Sequence, residues 1–223
     1  MPNWCNNNIR IYGDEKTIKV LTNVIKSINP RDEDEEQIEG KEREGLFRTL
    51  IGVPPEMSKD DYNLNWYDTN IGWFGTKWDV DVSTDCFTFN EGEIEFFCET
   101  AWSPPIEFLV NLCKMYKVNA TLFYSEGGVG FAGETTFTWV QDELEVYDEE
   151  CGYFEGLYKF SNEEFWSEVE YKADCILDEE QSLEDFLGEF SFITDEKDIM
   201  ELTTIYNETT DNDYDDDEDT EGE

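Results

Sequence analysis

Two strands, a tight turn and the start of a helix can be read from Thr76–Pro105, TKWDVDVSTDCFTFNEGEIEFFCETAWSPP, and a hairpin that feeds a helix leaves a chain few ways to continue. Val80 and Val82 alternate with Asp79, Asp81 and Ser83, the period of two of a strand with one apolar face. Phe87 and Phe89 then carry the apolar role at odd positions, and this change of parity predicts a bulge around Ser83–Cys86. Ile94, Phe96 and Cys98 alternate with Glu95, Phe97 and Glu99 in the return strand. Asn90-Glu91-Gly92-Glu93 reads as the hairpin loop, with Gly92 free to take a positive φ. Ser103 offers an N-cap hydroxyl, and Pro104 suits a first helical position because its missing N–H would be unpaired there anyway. Ile106, Leu109, Val110 and Cys113 fall on one face of the helix so predicted.

Before this stretch, Ile9 and Ile11 alternate with Asn8, Arg10 and Tyr12 in a strand that Gly13 ends. Asp14 caps the next helix, whose stripe is Ile18, Leu21, Ile25 and Ile28, and Asn29-Pro30 stops it. Residues 31–45, RDEDEEQIEGKEREG, hold one apolar residue in fifteen and read as a solvated, disordered insertion. Leu46, Phe47, Leu50 and Ile51 predict a short packed turn. Residues 58–72 show no clean period and read as irregular and polar, anchored by Trp66 and Tyr67. After the helix, Ala120, Leu122 and Tyr124 begin a strand that enters the Glu126-Gly127-Gly128 turn, and Phe131–Val140 and Leu144–Val146 continue as strands. The order strand, helix, strand, strand, helix, strand predicts an α+β chain with a ferredoxin-like antiparallel sheet and two helices on one face.

Further on, the pattern turns helical and acidic. Ser161-Asn162-Glu163-Glu164 has capping-box form, and Phe165, Val169, Ala173 and Ile176 keep helical spacing. Ser182-Leu183-Glu184-Asp185 marks a second helix start, and Thr194 a third, bearing Ile199, Leu202 and Tyr206. From Glu208 the chain has 10 acids in 16 residues and no base, which predicts disorder. The predicted organisation is therefore a ferredoxin-like domain over residues 1–147 with the acidic insertion 31–45, an acidic helical extension over 148–207, and a disordered acidic tail over 208–223.

Four short motifs add to this. Asn3-Trp4-Cys5, Gly75-Thr76-Lys77-Trp78-Asp79, Thr100-Ala101-Trp102-Ser103-Pro104-Pro105, and Glu126-Gly127 with Phe131-Ala132-Gly133 resemble, in order, the YubB-like family. These are small proteins with a ferredoxin-like domain carried by phages and conjugative plasmids. The resemblance spans roughly residues 1–140 and is broken by the acidic insertion; the part after residue 142 departs from it. It implies a mobile-element origin and a place in the bacterial host's cytoplasm. It implies no activity.

Charge separates the two parts of the chain. The chain carries 56 acids, 15 bases and no histidine, a net charge of −41. Residues 118–223 hold 34 acids against Lys159, Lys172 and Lys197, a net of −31. Such a charge excludes nucleic acid and anionic membrane as direct ligands and predicts a cationic partner. No apolar run is long enough to span a bilayer, and Met1-Pro2-Asn3-Trp4 does not open like a signal peptide. Cys5, Cys86, Cys98, Cys113, Cys151 and Cys175 show no CxxC spacing and read as reduced, mostly buried thiols rather than a disulfide framework.

Little in the sequence points to catalysis. A cysteine nucleophile needs a neighbouring base, and there is no histidine. Gly127-Gly128-Val129-Gly130 lacks the Lys-Ser/Thr and the helix start of a phosphate loop and reads as a turn. Asp211-Asn212-Asp213-Tyr214-Asp215 echoes a calcium loop, but the glycine at its sixth position is missing and Gly222 takes the place of the closing glutamate. No metal, cofactor or enzymatic activity is expected.

The reading these features lead to is a non-enzymatic mobile-element protein that binds a basic surface of a host or phage protein. Its acidic face would imitate DNA and inhibit a nucleic-acid-binding defence enzyme. The candidate contacts are Glu163, Glu164, Glu168, Glu170, Asp178, Glu179, Glu180, Glu184 and Asp185. The alternative is an adaptor that uses Trp4, Lys77, Trp78 and Trp102 as an aromatic surface; against it, these tryptophans lie in apolar patterns that predict core packing, and Lys77 has Asp79 at hand as a salt-bridge partner. A metal-dependent enzyme is the third reading.

Overall fold

The computed structural model describes residues 3–28, 45–81, 86–176 and 181–212. The predicted acidic insertion, Gly45 excepted, lies outside the described residues, as do Asp178, Glu179, Glu180 and residues 213–223. The chain divides into two compact units, Met1–Tyr153 and Phe154–Glu223.

The first unit is an α+β domain on a six-stranded antiparallel sheet. Its strands are β1 (Trp4–Tyr12), β2 (Phe87–Asn90), β3 (Glu93–Ala101), β4 (Asn119–Glu126), β5 (Phe131–Val140) and β6 (Glu143–Gly152), in the spatial order β2-β3-β1-β4-β5-β6. With α1 (Glu15–Ser27) between β1 and β2 and α4 (Ile106–Tyr116) between β3 and β4, the first four strands form the ferredoxin-like arrangement. The β5–β6 hairpin extends its β4 edge, and β6 carries the sheet beyond Tyr147 to Gly152.

Alternation decides which face of the sheet is covered. Cys5, Asn7, Ile9 and Ile11 of β1 are buried while Trp4, Asn6, Asn8 and Arg10 are exposed. On the covered side, α1 contributes Ile18, Leu21 and Ile25, and α4 contributes Phe108, Leu109, Leu112 and Cys113. The Asp14 carboxylate caps α1 by accepting from the Lys16 and Thr17 amides. The packed turn at Leu46 is a short helix, α2 (Leu46–Ile51), whose Phe47 ring stacks on Phe108 at 4.0 Å between centroids. Gly92 takes φ 81° in the hairpin turn, as its place there requires.

Three expectations about secondary structure fail in this unit. Residues 58–72 are not irregular: α3 runs Lys59–Phe74, started by the Ser58 hydroxyl, which accepts from the Asp61 amide, and ended by Gly75 at φ 82°. No apolar stripe betrays it, because its buried face mixes Tyr62 and Phe74 with Thr69 and Asn70. Asn70 accepts from the Tyr62 hydroxyl and donates to the Lys77 carbonyl. Trp66 and Tyr67 stay exposed rather than anchoring the segment.

The predicted strand through Val80 does not form, and Thr76–Asp81 is irregular. Asp79 turns inward instead and caps α2, accepting from the Phe47 amide at 2.8 Å and the Arg48 amide at 3.0 Å, while Leu46 donates to the Val80 carbonyl. Ser83 of the predicted bulge is outside the described residues. Finally, α4 begins at Ile106 with Pro105 at its cap position, because the Ser103 hydroxyl donates to Gly75 rather than capping.

The second unit is helical: α5 (Tyr153–Phe160, its first residue in the first unit), α6 (Asn162–Ile176), α7 (Leu183–Glu189) and α8 (Glu196–Asn212). Its centre is rich in phenylalanine. Phe165, Phe186 and Phe190 are fully buried with Val169, Leu157 and Leu202, and Phe186 meets Phe190 edge-on at 5.1 Å. Ser182 caps α7 through the Asp185 amide. Asp195, not Thr194, caps α8, and that helix continues past Glu208 to Asn212, so the first residues of the expected disordered tail are helical.

Candidate partner-binding surface

The four sequence motifs, far apart in the chain, meet at one end of the sheet. Trp4 pairs with Ala101 and Cys5 with Thr100 across β1 and β3; Asn6 pairs with Ser125, Ser125 with Ala132, and Glu126 with Phe131. The Thr76 hydroxyl donates to the Ala101 carbonyl and the Ser103 hydroxyl to the Gly75 carbonyl, which binds the Gly75–Asp79 segment to the end of β3. Beneath the sheet, the Asn7 amide nitrogen donates to the Cys5 and Cys98 carbonyls and to Thr100 Oγ1.

On the outside, this end presents aromatic rings. Trp4, Trp78, Trp102 and Tyr67 are 37–47 % exposed, so the expectation of core packing fails for the motif tryptophans. Trp4 and Trp78 lie 6.0 Å apart between ring centroids. Trp102 is held at φ 69°, a left-handed conformation rare outside glycine, with its amide donating to the Asn3 carbonyl at 3.0 Å. The Lys77 ammonium sits 4.5 Å from the Trp78 ring centroid, 5.0 Å from Trp102 and 5.8 Å from Tyr67. Lys77 therefore does not pair with Asp79, whose carboxylate is committed to α2. From Trp4 and Trp78 a groove of about 350 Å³ runs along β3 to the exposed Phe97, with Asp79, Asp81 and Glu99 in its wall. No sequence pattern marks Tyr67 as part of this end, because α3 carries no apolar period, and no local pattern reports which ring a lysine will cover.

The polar and thiol groups nearby do structural work. Burial pushes the Cys5 and Cys113 thiols up to about 12 and the Cys98 thiol higher still, far from a reactive thiolate. Cys5, Cys98 and Cys113 are buried as expected, but Cys151 is half-buried and Cys86 and Cys175 are exposed. In the Gly127–Gly130 turn, the buried Glu126 carboxylate accepts from the Gly128 and Val129 amides, taking up donors that a phosphate would need. Among the described residues no group of three or more cysteines and carboxylates gathers where it could hold a metal ion.

The acidic candidates lie in the second unit. Glu163, Glu164 and Glu170 are exposed on α6 and Glu168 is half-buried; Glu184 and Asp185 are exposed in the first turn of α7. On α6, Glu163, Glu170 and Asp174 share one line along the helix. Loss of solvent raises the Glu164 pKa, Glu168 and Glu163 push it further, and a hydrogen bond with Ser161 opposes them. Lys172 is taken up by Glu189.

Comparison with known proteins places the fold. No curated protein matches the sequence significantly. The crystal structure of protein api92 from Yersinia pseudotuberculosis is similar over 68% of this chain and 99% of its own, at 9% identity and a TM-score of 0.38. Among the described residues no helix is long and apolar enough to cross a membrane. Residues 60–186 match the model of the ferredoxin-like domain in Api92-like proteins, a stretch that includes Tyr67, Lys77, Trp78 and Trp102 and begins after Trp4. Since that match covers more than half of its length, the chain belongs to the family of ferredoxin-like domains found in Api92-like proteins.

Proposed function

We propose that this is a non-enzymatic binding protein that docks a basic segment of a partner protein on the aromatic end of its sheet. The observation that carries the reading is the exposed group of Trp78, Trp102 and Tyr67 around Lys77, with Trp4 beside Trp78 and Trp102 kept in a left-handed conformation. Exposed aromatic residues gathered in one place are the usual anchors of protein interfaces, and a strained backbone at such a place is a mark of function. The net charge of −41 selects a cationic partner and speeds its approach. The resemblance of the same motifs to YubB-like proteins supports a mobile-element origin, with the partner a host or phage protein in a bacterial cytoplasm.

A second reading is DNA mimicry by the helical unit, favoured by the line of Glu163, Glu170 and Asp174 on α6 and by the net of −31 over residues 118–223. Duplex DNA carries one charge per ~1.7 Å of axis, and a nuclease groove built for it would accept a dense acidic helix.

One experiment ranks the two. A partner captured from bacterial lysate is purified, and its affinity for variants is measured over a range of salt. Trp78→Ala and Trp102→Gly should each cost about 2 kcal/mol or more if the aromatic end is the anchor. Glu163→Gln with Glu170→Gln should then change mainly the salt dependence. The opposite ranking, with duplex DNA competing for the partner, would replace the first reading by the second.

A further inference from the structure

We infer that Tyr67, Trp78 and Trp102 form a cage for a lysine side chain of the partner, and that Lys77 occupies this cage in the free protein. This deepens the docking reading and rests on it. All three ring centroids lie within the range at which a cation is held by aromatic faces, roughly 6 Å, at 4.5, 5.0 and 5.8 Å from the Lys77 ammonium. Among the described cations Lys77 is the only one placed over three rings, and among the described residues it has no carboxylate within ion-pair distance. In a chain with 56 acids, a half-buried lysine that meets rings instead of carboxylates marks a site built for an ammonium group.

Two features make the occupant exchangeable. The rings remain 37–47 % exposed, so their outer edges are open to an incoming chain. Among the described residues the hydrogen bond on Lys77 is made by its carbonyl, which accepts from Asn70, and its ammonium, held by rings alone, ends a flexible stem of four methylenes. The occupant also identifies the ligand, because what fits is a primary ammonium on four methylenes. Arriving lysines are drawn by the surrounding negative charge, and Glu99 in the adjoining groove suits a further basic residue of the same segment. A site occupied by its own side chain binds an outside ligand more weakly, in proportion to the fraction of time it is open.

The test uses the full chain labelled with nitrogen-15, titrated with Nα-acetyl-lysine methylamide, with the uncharged norleucine analogue as control at the same ionic strength. The indole N–H resonances of Trp78 and Trp102 should move with the lysine compound and stay still with the norleucine one. Lys77→Ala should bind about tenfold more tightly than the natural chain, as for a site filled about nine-tenths of the time. Adding Trp102→Gly should abolish the gain; glycine suits φ 69°, so this variant keeps the fold. Equal affinity with and without Lys77, or indole shifts of Trp78 that persist undiminished after Trp102→Gly, would overturn the cage. If the cage fails while Trp78→Ala and Trp102→Gly still weaken the captured partner, docking at this end stands without it. If the partner too ignores both substitutions, the docking reading falls as well.

Discussion

The Tyr124 hydroxyl occupies the space where Gly133 lacks a side chain: a Cβ at position 133 would stand 2.5 Å from that oxygen and 2.6 Å from the Glu149 carbonyl. The two residues face each other across β4 and β5, and the hydroxyl reaches past the glycine to donate to Asp148 on β6 at 3.0 Å. The Thr135 hydroxyl donates to the same carboxylate oxygen. One absent Cβ thus lets three strands share a polar contact close to the motif end of the sheet.

Gly133→Ala should therefore be costly. One of the obstructing atoms, the Glu149 carbonyl oxygen, is backbone and cannot turn aside, so overpacking should cost about 2–3 kcal/mol. Tyr124→Phe in the same background should recover only part, since the Glu149 carbonyl remains. Thermal unfolding followed by circular dichroism checks this; a Gly133→Ala variant as stable as the parent would mean that the strands separate freely there.

Asp79 should set part of the pH dependence of stability. Burial raises its pKa above the usual carboxylate range, although the Arg48, Phe47 and Val80 amides and the Arg48 charge all pull it down. The native state then holds this proton more tightly than the unfolded chain. Its contribution to stability is lost as pH rises from the unfolded value through the raised one, and returns as pH falls. As pH falls from neutral towards the ordinary aspartate value of about 4, the melting temperature should climb more for the natural protein than for Asp79→Asn. Parallel profiles would place Asp79 at an ordinary value.

Salt should stabilise the fold. Repulsion within a net charge of −41 opposes compaction, and at 0.1 M salt exposed charges are screened beyond about 10 Å. The melting temperature should rise between low and moderate salt. A flat or falling curve would mean that ordered contacts already balance the acids.

What could be read without coordinates was local. The alternation of Ile9 and Ile11 with Asn8 and Arg10, the stripe of Ile18, Leu21 and Ile25, the Asp14 and Ser182 caps and the turn at Gly92 each follow from residues within a few positions of one another. Their order along the chain is enough to select the ferredoxin-like arrangement, because connection rules leave few other ways to pair four such strands. Composition likewise set the sign and size of the net charge, −41.

Tertiary structure alone decided the rest, and in each case through partners distant in sequence. Helix α3 hides because part of its buried face is polar and is satisfied by Tyr62, Asn70 and the Lys77 carbonyl, so no apolar period marks it. The segment at Val80 looks like a strand, yet Asp79 is worth more as the cap of a helix 31 and 32 residues away. Trp4, Trp78 and Trp102 sit in apolar patterns that predict a core, but where they meet at the end of the sheet they stay exposed. Which rings surround Lys77 depends on where α3, the end of β3 and the Gly75–Asp79 segment come together, and the free energy that brings them together is spread over the whole core rather than written in the residues of the site.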